Sequence, residues 1–276
     1  MNSGYNTDSD RVFSLDEFKQ FDRLSQNTNN RIPIFFCIDV SGSMSQRVGV
    51  FSFETRLSLL TKVMTKLLNT MKKHPVLSER AVVGVVTYNY QAILQQSALD
   101  IGVLDINNAT RFDANGQTVI SLGLRRTLQA IDQYRDGVRR SDVDTFTPIL
   151  VFMTDGEPVG DTEADIESVY GEIWRRIQNH DLYVFPIGIS KQANMAYVRM
   201  LTPEKRGYQM INEDDYDTVF SEIEEIVNDR PPDSYEEAEI LTRKASTRED
   251  TINTGGGTSV STEELMEEFD SMLSKH

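Results

Sequence analysis

The chain has 276 residues, of which 39% are hydrophobic and 26% are charged, a composition typical of a globular protein with a sizeable core. Its 28 basic and 43 acidic residues give a net charge of −15, which disfavours nucleic-acid binding because that binding needs a dense Lys/Arg surface. No apolar run approaches the roughly 20 residues that cross a bilayer, so no membrane span is expected. A single cysteine, Cys37, excludes an internal disulfide, and the first residues lack the features of a secretory signal. We therefore expect a cytoplasmic protein.

Apolar runs that suit buried strands alternate with helical patterns along the first half of the chain. Residues 1–30 are polar and are predicted to form an N-terminal arm, with one short helix at 14–18. After the arm, the patterns predict a buried strand at 32–38, a helix at 55–73, a second buried strand at 81–88 and a returning edge strand at 91–96.

The second half of the chain repeats this alternation. The patterns predict a helix at 119–134, a strand at 148–153, a helix at 161–179, a strand at 182–188, a helix at 193–201, a short strand at 208–211 and a helix at 215–227. Such a sequence of elements predicts an α/β domain over residues 31–228, built as a doubly wound, mostly parallel sheet with helices on both faces. Ligands of such sheets bind beyond the carboxyl ends of the strands.

Residues 229–276 are predicted to form an acidic, partly disordered tail. This segment starts with the chain-breaking run R-P-P-D and carries 12 acidic but only 5 basic residues. Near its end, residues 262–274 have apolar side chains at helical spacing, preceded by a capping-box pattern. This amphipathic helix could dock on its own domain or in the groove of a partner, and the sequence leaves both open.

Oxygen donors follow the first predicted strand at alternating positions. Asp39, Ser41 and Ser43 offer one carboxylate and two hydroxyls, and Gly42 is expected to let the backbone turn tightly between them. Oxygen ligands of this kind suit a hard cation such as Mg²⁺. The same D-x-S-x-S pattern also occurs as ordinary turn and cap chemistry, so the motif alone leaves that alternative open.

Two later segments extend this motif into a larger pattern. Thr118 lies in N-G-Q-T-V-I, and Asp155 follows the strand at 148–153 in F-M-T-D-G-E-P. Together with I-D-V-S-G-S-M around Asp39, these segments resemble, in order and spacing, the motifs of the von Willebrand factor A family. The resemblance covers roughly residues 30–228 and implies the same α/β fold.

The resemblance also implies a metal-ion-dependent adhesion site. Its predicted metal ligands are Asp39, Ser41, Ser43, Thr118 and Asp155. In the family the hydroxyls contact the metal, the aspartates ligate it directly or through water, and a carboxylate of a partner protein completes the ligand set. The expected ion is Mg²⁺, although Mn²⁺ and Ca²⁺ also accept oxygen ligands. Taken singly, Thr118 also fits a helix N-cap and Asp155 an Asx turn.

Two features distinguish the chain from many members of that family. Residues 45–53 form a longer insertion beside the predicted metal. In addition, the expected lack of a signal or membrane span resembles the intracellular bacterial-type branch, whose members accompany kinases, phosphatases or chaperone-like ATPases, including in tellurium-resistance and phage-defence gene clusters. The resemblance therefore implies an adaptor or regulatory subunit without enzymatic activity.

Two other functions remain as alternatives. A metal-dependent phosphohydrolase is less favoured because the motif loops supply hydroxyls and carboxylates, without a base or a cation for developing charge. A scaffold with a purely structural metal is the third possibility. The sequence contains neither a phosphate-binding G-x-x-x-x-G-K-[ST] loop nor an H-E-x-x-H zinc motif. Cys37 and Trp174 are predicted to be buried core residues.

Overall fold

The computed structural model describes residues 30–49, 53–139, 145–156 and 158–210. Its strands are β1 (Ile32–Asp39), β2 (Ala81–Tyr88), β3 (Ala92–Asp100), β4 (Ile149–Thr154), β5 (Tyr183–Ile189) and β6 (Tyr208–Met210). Its helices are α1 (Arg56–Lys73), α2 (Leu77–Arg80), α3 (Ile106–Ala109), α4 (Ile120–Arg139), α5 (Glu163–Gln178) and α6 (Met195–Met200), and a 3₁₀ turn spans Gly42–Ser45.

The six strands form one sheet in the order β3-β2-β1-β4-β5-β6. All neighbours are parallel except β3, which runs antiparallel to β2 at one edge. The chain builds outward from β1 in both directions, so a topological switch point lies between β1 and β4. The loops that follow these two strands consequently meet at the carboxyl edge of the sheet, where ligands bind in open α/β sheets. The predicted doubly wound α/β class is confirmed.

The apolar character of β1 follows from its central position, because both of its faces are covered. Ile34 and Phe36 point into the core layer that contains α1, whereas Phe35 and Cys37 point into the layer that contains α4 and α5. Burial raises the pKa of the Cys37 thiol to about 12, against a smaller opposing effect of a hydrogen bond with Thr127. The prediction of a buried thiol is confirmed.

Trp174 is also a core residue, as predicted. It is 2% exposed and belongs to the buried face of α5. Its indole Nε1 donates a hydrogen bond to the carbonyl oxygen of Met200 at 3.0 Å, which satisfies the one polar atom of the side chain.

Most predicted elements match the observed ones, with differences at their ends. Helix α4 continues to Arg139, five residues beyond the predicted end, because its buried face continues at Tyr134 and Val138. Strand β3 reaches Asp100 rather than residue 96, since it pairs with β2 as far as Val82. Helices α2 and α3 were not predicted, because four residues are too few for an apolar periodicity to be visible.

Several predictions lie outside the described residues. They are the N-terminal arm at 1–30 except for its last residue, with its helix at 14–18, the helix at 215–227, and the tail at 229–276 with its helix at 262–274. Within the described ranges, no helix is long and apolar enough to span a membrane.

Candidate metal centre

The loop after β1 gathers the first three predicted ligands. Asp39 is completely buried, its Oδ1 accepts a hydrogen bond from the Ser41 amide at 2.8 Å, and its Oδ2 accepts one from the Thr154 hydroxyl at 2.7 Å. The 3₁₀ turn then folds back so that the Oγ atoms of Ser41 and Ser43 lie 3.0 Å apart. The side chains of this motif therefore converge because the chain turns immediately after the strand.

Gly42 allows this loop to approach the loop that carries Thr118. The Gly42 amide donates to the Gly116 carbonyl oxygen at 2.8 Å, and a Cβ at Gly42 would lie 3.2 Å from that oxygen. Close approach, rather than a special turn conformation, is thus the reason for a glycine here. Gly116 itself has a φ of 74°, and a side chain there would collide with the Tyr90 ring.

Asp155 joins the cluster from the neighbouring strand. It follows β4, its side chain has no exposed surface, and its Oδ1 accepts a hydrogen bond from the Ser43 hydroxyl at 2.7 Å. This bond connects residues 112 positions apart in the sequence. The contact shows that the two motif loops meet at the switch point of the sheet.

Thr118 borders the same cluster. It is 4% exposed, and a methyl group added at Gly156 would lie 4.0 Å from its Oγ1 and 3.9 Å from the Oγ of Ser43. All five predicted ligands are therefore brought to one place, from the loops after β1 and β4 and from the loop before α4.

Asp161 caps the amino end of α4, a role for which Thr118 was the candidate in the sequence. Its Oδ2 accepts a hydrogen bond from the Ile120 amide at 2.6 Å, and its Oδ1 accepts one from the Ser121 amide at 3.1 Å. In addition, the Thr118 carbonyl oxygen accepts hydrogen bonds from the amides of Val159 and Gly160, which directly precede Asp161. A distant carboxylate thus caps α4 and holds the Thr118 loop in place.

The two buried carboxylates leave the site short of positive charge. Burial raises the pKa of Asp39 from 3.8 to about 6, and the negative charge of Asp155 adds to this effect. The hydrogen bonds from Ser41 and Thr154 oppose the shift without cancelling it. A cation placed between these carboxylates would be stabilised by both of them.

Arg56 is the charged residue of this site that the sequence analysis missed. It is the first residue of α1, its side chain is 7% exposed, and its Nη1 donates to Asp155 Oδ2 at 2.7 Å. Its Nη2 lies 3.4 Å from the Oε1 of Gln192. The motif loops supply hydroxyls and carboxylates, as expected, but the first residue of α1 adds a cation to the site.

A signal for Arg56 was present in the sequence. Arg56 precedes Leu60 by four residues, which places it on the buried face of the predicted helix. A cation in the first turn also opposes the helix dipole, so its presence there needs a compensating partner. Together these two features indicate a buried arginine that pairs with a carboxylate.

The side-chain atoms gathered at this site are of the type that a hard divalent cation prefers as ligands. They are oxygen atoms only, from two carboxylates and three hydroxyls. Within the described residues, no three His, Cys, Asp or Glu side chains lie together in a group that could hold a metal. An ion bound here would therefore depend on hydroxyl ligands, and the Arg56 guanidinium would be an additional positive charge beside it.

Comparison with known proteins agrees with the fold. The von Willebrand factor type A domain model matches residues 34–228, and the chain belongs to this family, whose domains are generally protein–protein interaction modules. Comparison with curated proteins finds no match.

Two solved structures are similar to the described fold. The PilB minor pilin from Streptococcus sanguinis has a TM-score of 0.56 at 17% identity, covering 72% of this chain and 61% of the pilin. The pilus adhesin SpaC from Lactobacillus rhamnosus GG has a TM-score of 0.52 at 12% identity, covering 74% of this chain and 31% of the adhesin. The chain thus spans less than two thirds of either protein, and the likeness concerns the fold.

Proposed function

We propose that this chain is a divalent-metal-dependent protein-interaction module without enzymatic activity. The metal ligands in this proposal are Asp39, Ser41, Ser43, Thr118 and Asp155. Mg²⁺ is the expected ion, with Mn²⁺ or Ca²⁺ as substitutes, and a carboxylate from a partner protein completes its coordination.

The observation that carries this proposal is the hydrogen bond between Ser43 and Asp155. It brings hydroxyl and carboxylate oxygens from two distant loops to the carboxyl edge of the sheet, at the switch point. A site made mainly of hydroxyl ligands leaves much of the charge of a divalent ion uncompensated, so the ion attracts an anionic group from outside.

Exposed apolar side chains near the site support recognition of a protein rather than of a small ion. We call Tyr90 and Val159 the apolar rim; they are 54% and 67% exposed. Tyr90 packs against the Thr118 loop at Gly116, and the Val159 amide donates to the Thr118 carbonyl oxygen. A partner segment with a carboxylate flanked by apolar side chains would fit this arrangement.

The cellular role is the broader part of the proposal. The resemblance to the intracellular bacterial-type branch favours an adaptor or regulatory subunit in a stress, tellurium-resistance or phage-defence type of system. The buried thiol of Cys37 is compatible with the reducing cytoplasm in which we place the chain.

Capture of partners by the full chain tests the proposal. We expect a partner retained by the wild type in Mg²⁺ to be lost in EDTA and lost with Ser41→Ala/Ser43→Ala. The matched control Ser78→Ala/Ser97→Ala changes two serines away from the carboxyl edge and should retain the partner. Retention of the same proteins in all conditions would contradict metal-bridged recognition.

Asp155→Ala separates this function from a purely structural metal. In the proposed function the variant loses partner binding, whereas with a purely structural metal the affinity for the partner stays unchanged. The melting temperature falls in both cases, because the buried Arg56 loses its carboxylate, so the affinity is the deciding readout. Hydrolysis of a generic phosphate monoester, measured in Mg²⁺ with the same proteins, tests the phosphohydrolase alternative, and we expect none above the Asp155→Ala background.

A further inference from the structure

Arg56 occupies a position that is unfavourable for an arginine. Its side chain is almost fully buried, and its Nε has no hydrogen-bond partner among the described residues. It also starts α1, where the positive end of the helix dipole repels a cation. Buried charges persist in proteins only where a partner compensates them. Here the compensating partner is Asp155. Arg56 is therefore placed by the charges of the site and not by a preference of the helix.

The charges of the site explain why the Arg56 guanidinium is held there. Asp39 and Asp155 supply two carboxylates, and Arg56 is the cation paired with them, which leaves one negative charge uncompensated. Both oxygens of Asp155 are already engaged, one by Ser43 and one by Arg56. A divalent ion that uses Asp155 must therefore share this carboxylate with the guanidinium.

We infer that Arg56 is a resident counter-ion that competes with the divalent cation for Asp155 and thereby sets the metal affinity of the site. This inference rests on the proposed function. Without metal, Arg56 keeps the buried carboxylates partly neutralised and the loops assembled. With a divalent ion bound, the same guanidinium turns the net charge of the site positive, which favours an anionic ligand from a partner.

Direct binding of Mn²⁺, followed by electron paramagnetic resonance on the full chain, tests this inference. Arg56→Gln removes the charge, and we expect it to bind Mn²⁺ at least about tenfold more tightly than the wild type, because a like charge beside the ion is lost. Arg56→Lys keeps the charge and should remain within about threefold of the wild type. Arg125→Gln, which changes a half-exposed arginine paired with Asp165, is the matched control and should bind as the wild type does.

Thermal unfolding provides a second readout. In EDTA, Arg56→Gln should melt at a lower temperature than the wild type, and saturating Mn²⁺ should raise its melting temperature by more than it raises that of the wild type. If Arg56→Gln folds only with metal, the Mn²⁺ concentration that induces folding replaces the binding titration. If it does not fold at all, Arg56→Lys decides, since a tenfold change with the charge retained would overturn the inference.

The outcomes distinguish failure of the inference from failure of the proposed function. If the wild type binds Mn²⁺ and Arg56→Gln binds it equally or less tightly, the inference is wrong and the metal site stands. If only Arg56→Gln binds, the inference holds in its strongest form, and metal dependence of the wild type is wrong. If neither binds, both are wrong. Asp155→Asn should abolish binding in every background, which shows that Mn²⁺ occupies this site.

Discussion

Two buried arginine–aspartate pairs lie at opposite edges of the sheet, and their surroundings differ. At the amino edge, Arg31 is 3.4 Å from Asp100 and also donates to the Glu79 carbonyl oxygen at 2.7 Å. At the carboxyl edge, Arg56 pairs with Asp155 at 2.7 Å, but a second buried carboxylate, Asp39, belongs to the same cluster.

This difference distinguishes an ion pair within the fold from the proposed metal site. At the amino edge, the Arg31 guanidinium contacts one carboxylate and one backbone acceptor. The carboxyl-edge pair keeps a surplus of negative charge next to hydroxyl groups that can rotate toward a ligand. Both edges thus bury a charged pair, and a second buried carboxylate lies at the edge where we propose the metal site.

The largest stability effect is expected at the amino edge. Arg31→Met should lower the free energy of unfolding by about 3 kcal/mol, because it removes a buried cation from beside Asp100 and the hydrogen bond to the Glu79 carbonyl. Urea unfolding measures the loss, with Arg125→Gln as the exposed control. The affinity for Mn²⁺ should stay unchanged, and a parallel loss of that affinity would show that the two edges are coupled.

A smaller effect of opposite sign is expected at Asp39. Because the folded state raises its pKa from 3.8 to about 6, the protonated form is favoured on folding, and that stability is present below about pH 4 and lost as the pH rises through about 6. Asp39→Asn imitates the protonated acid and should stabilise the metal-free protein at pH 7 by about 2 kcal/mol.

Urea unfolding in EDTA between pH 4 and pH 7 measures this effect. The wild type should lose stability relative to Asp39→Asn as the pH rises. Parallel pH profiles of the two proteins would show that Asp39 carries no surplus charge, and the distinction between the two edges would then fail. The same variant should bind Mn²⁺ more weakly than the wild type, since it lacks one carboxylate ligand.

The smallest effect is expected at Asp161, which joins the Thr118 loop to α4. Asp161→Ala removes two hydrogen bonds to the first turn of α4 and should lower the free energy of unfolding by about 1 kcal/mol. We expect a few-fold loss of Mn²⁺ affinity, because Thr118 becomes less firmly placed. Asp161→Asn, which keeps a capping oxygen, should recover most of both losses; equal losses in Asn and Ala would assign the effect to the charge instead.

Local patterns in the sequence were sufficient for most of the described elements and for the motif residues. The apolar run of β1 indicated a strand covered on both faces, and the helical spacing from Leu57 to Met71 indicated α1. Asp39 and Asp155 were placed at the carboxyl ends of strands because polar turns follow both apolar runs. The choice of family followed from the order of the three motifs, and the family match agrees with it.

Contacts between distant segments were decided by the tertiary structure. The sequence did not reveal that β1 and β4 are neighbours, that Arg56 reaches Asp155 across 99 positions, or that Asp161 rather than Thr118 caps α4. Periodicity and turn residues report the environment of each segment by itself, whereas the partner of a buried charge depends on which loops the sheet order brings together. The sequence by itself therefore determined which oxygen donors the site contains, and the strand order determined that an arginine shares them.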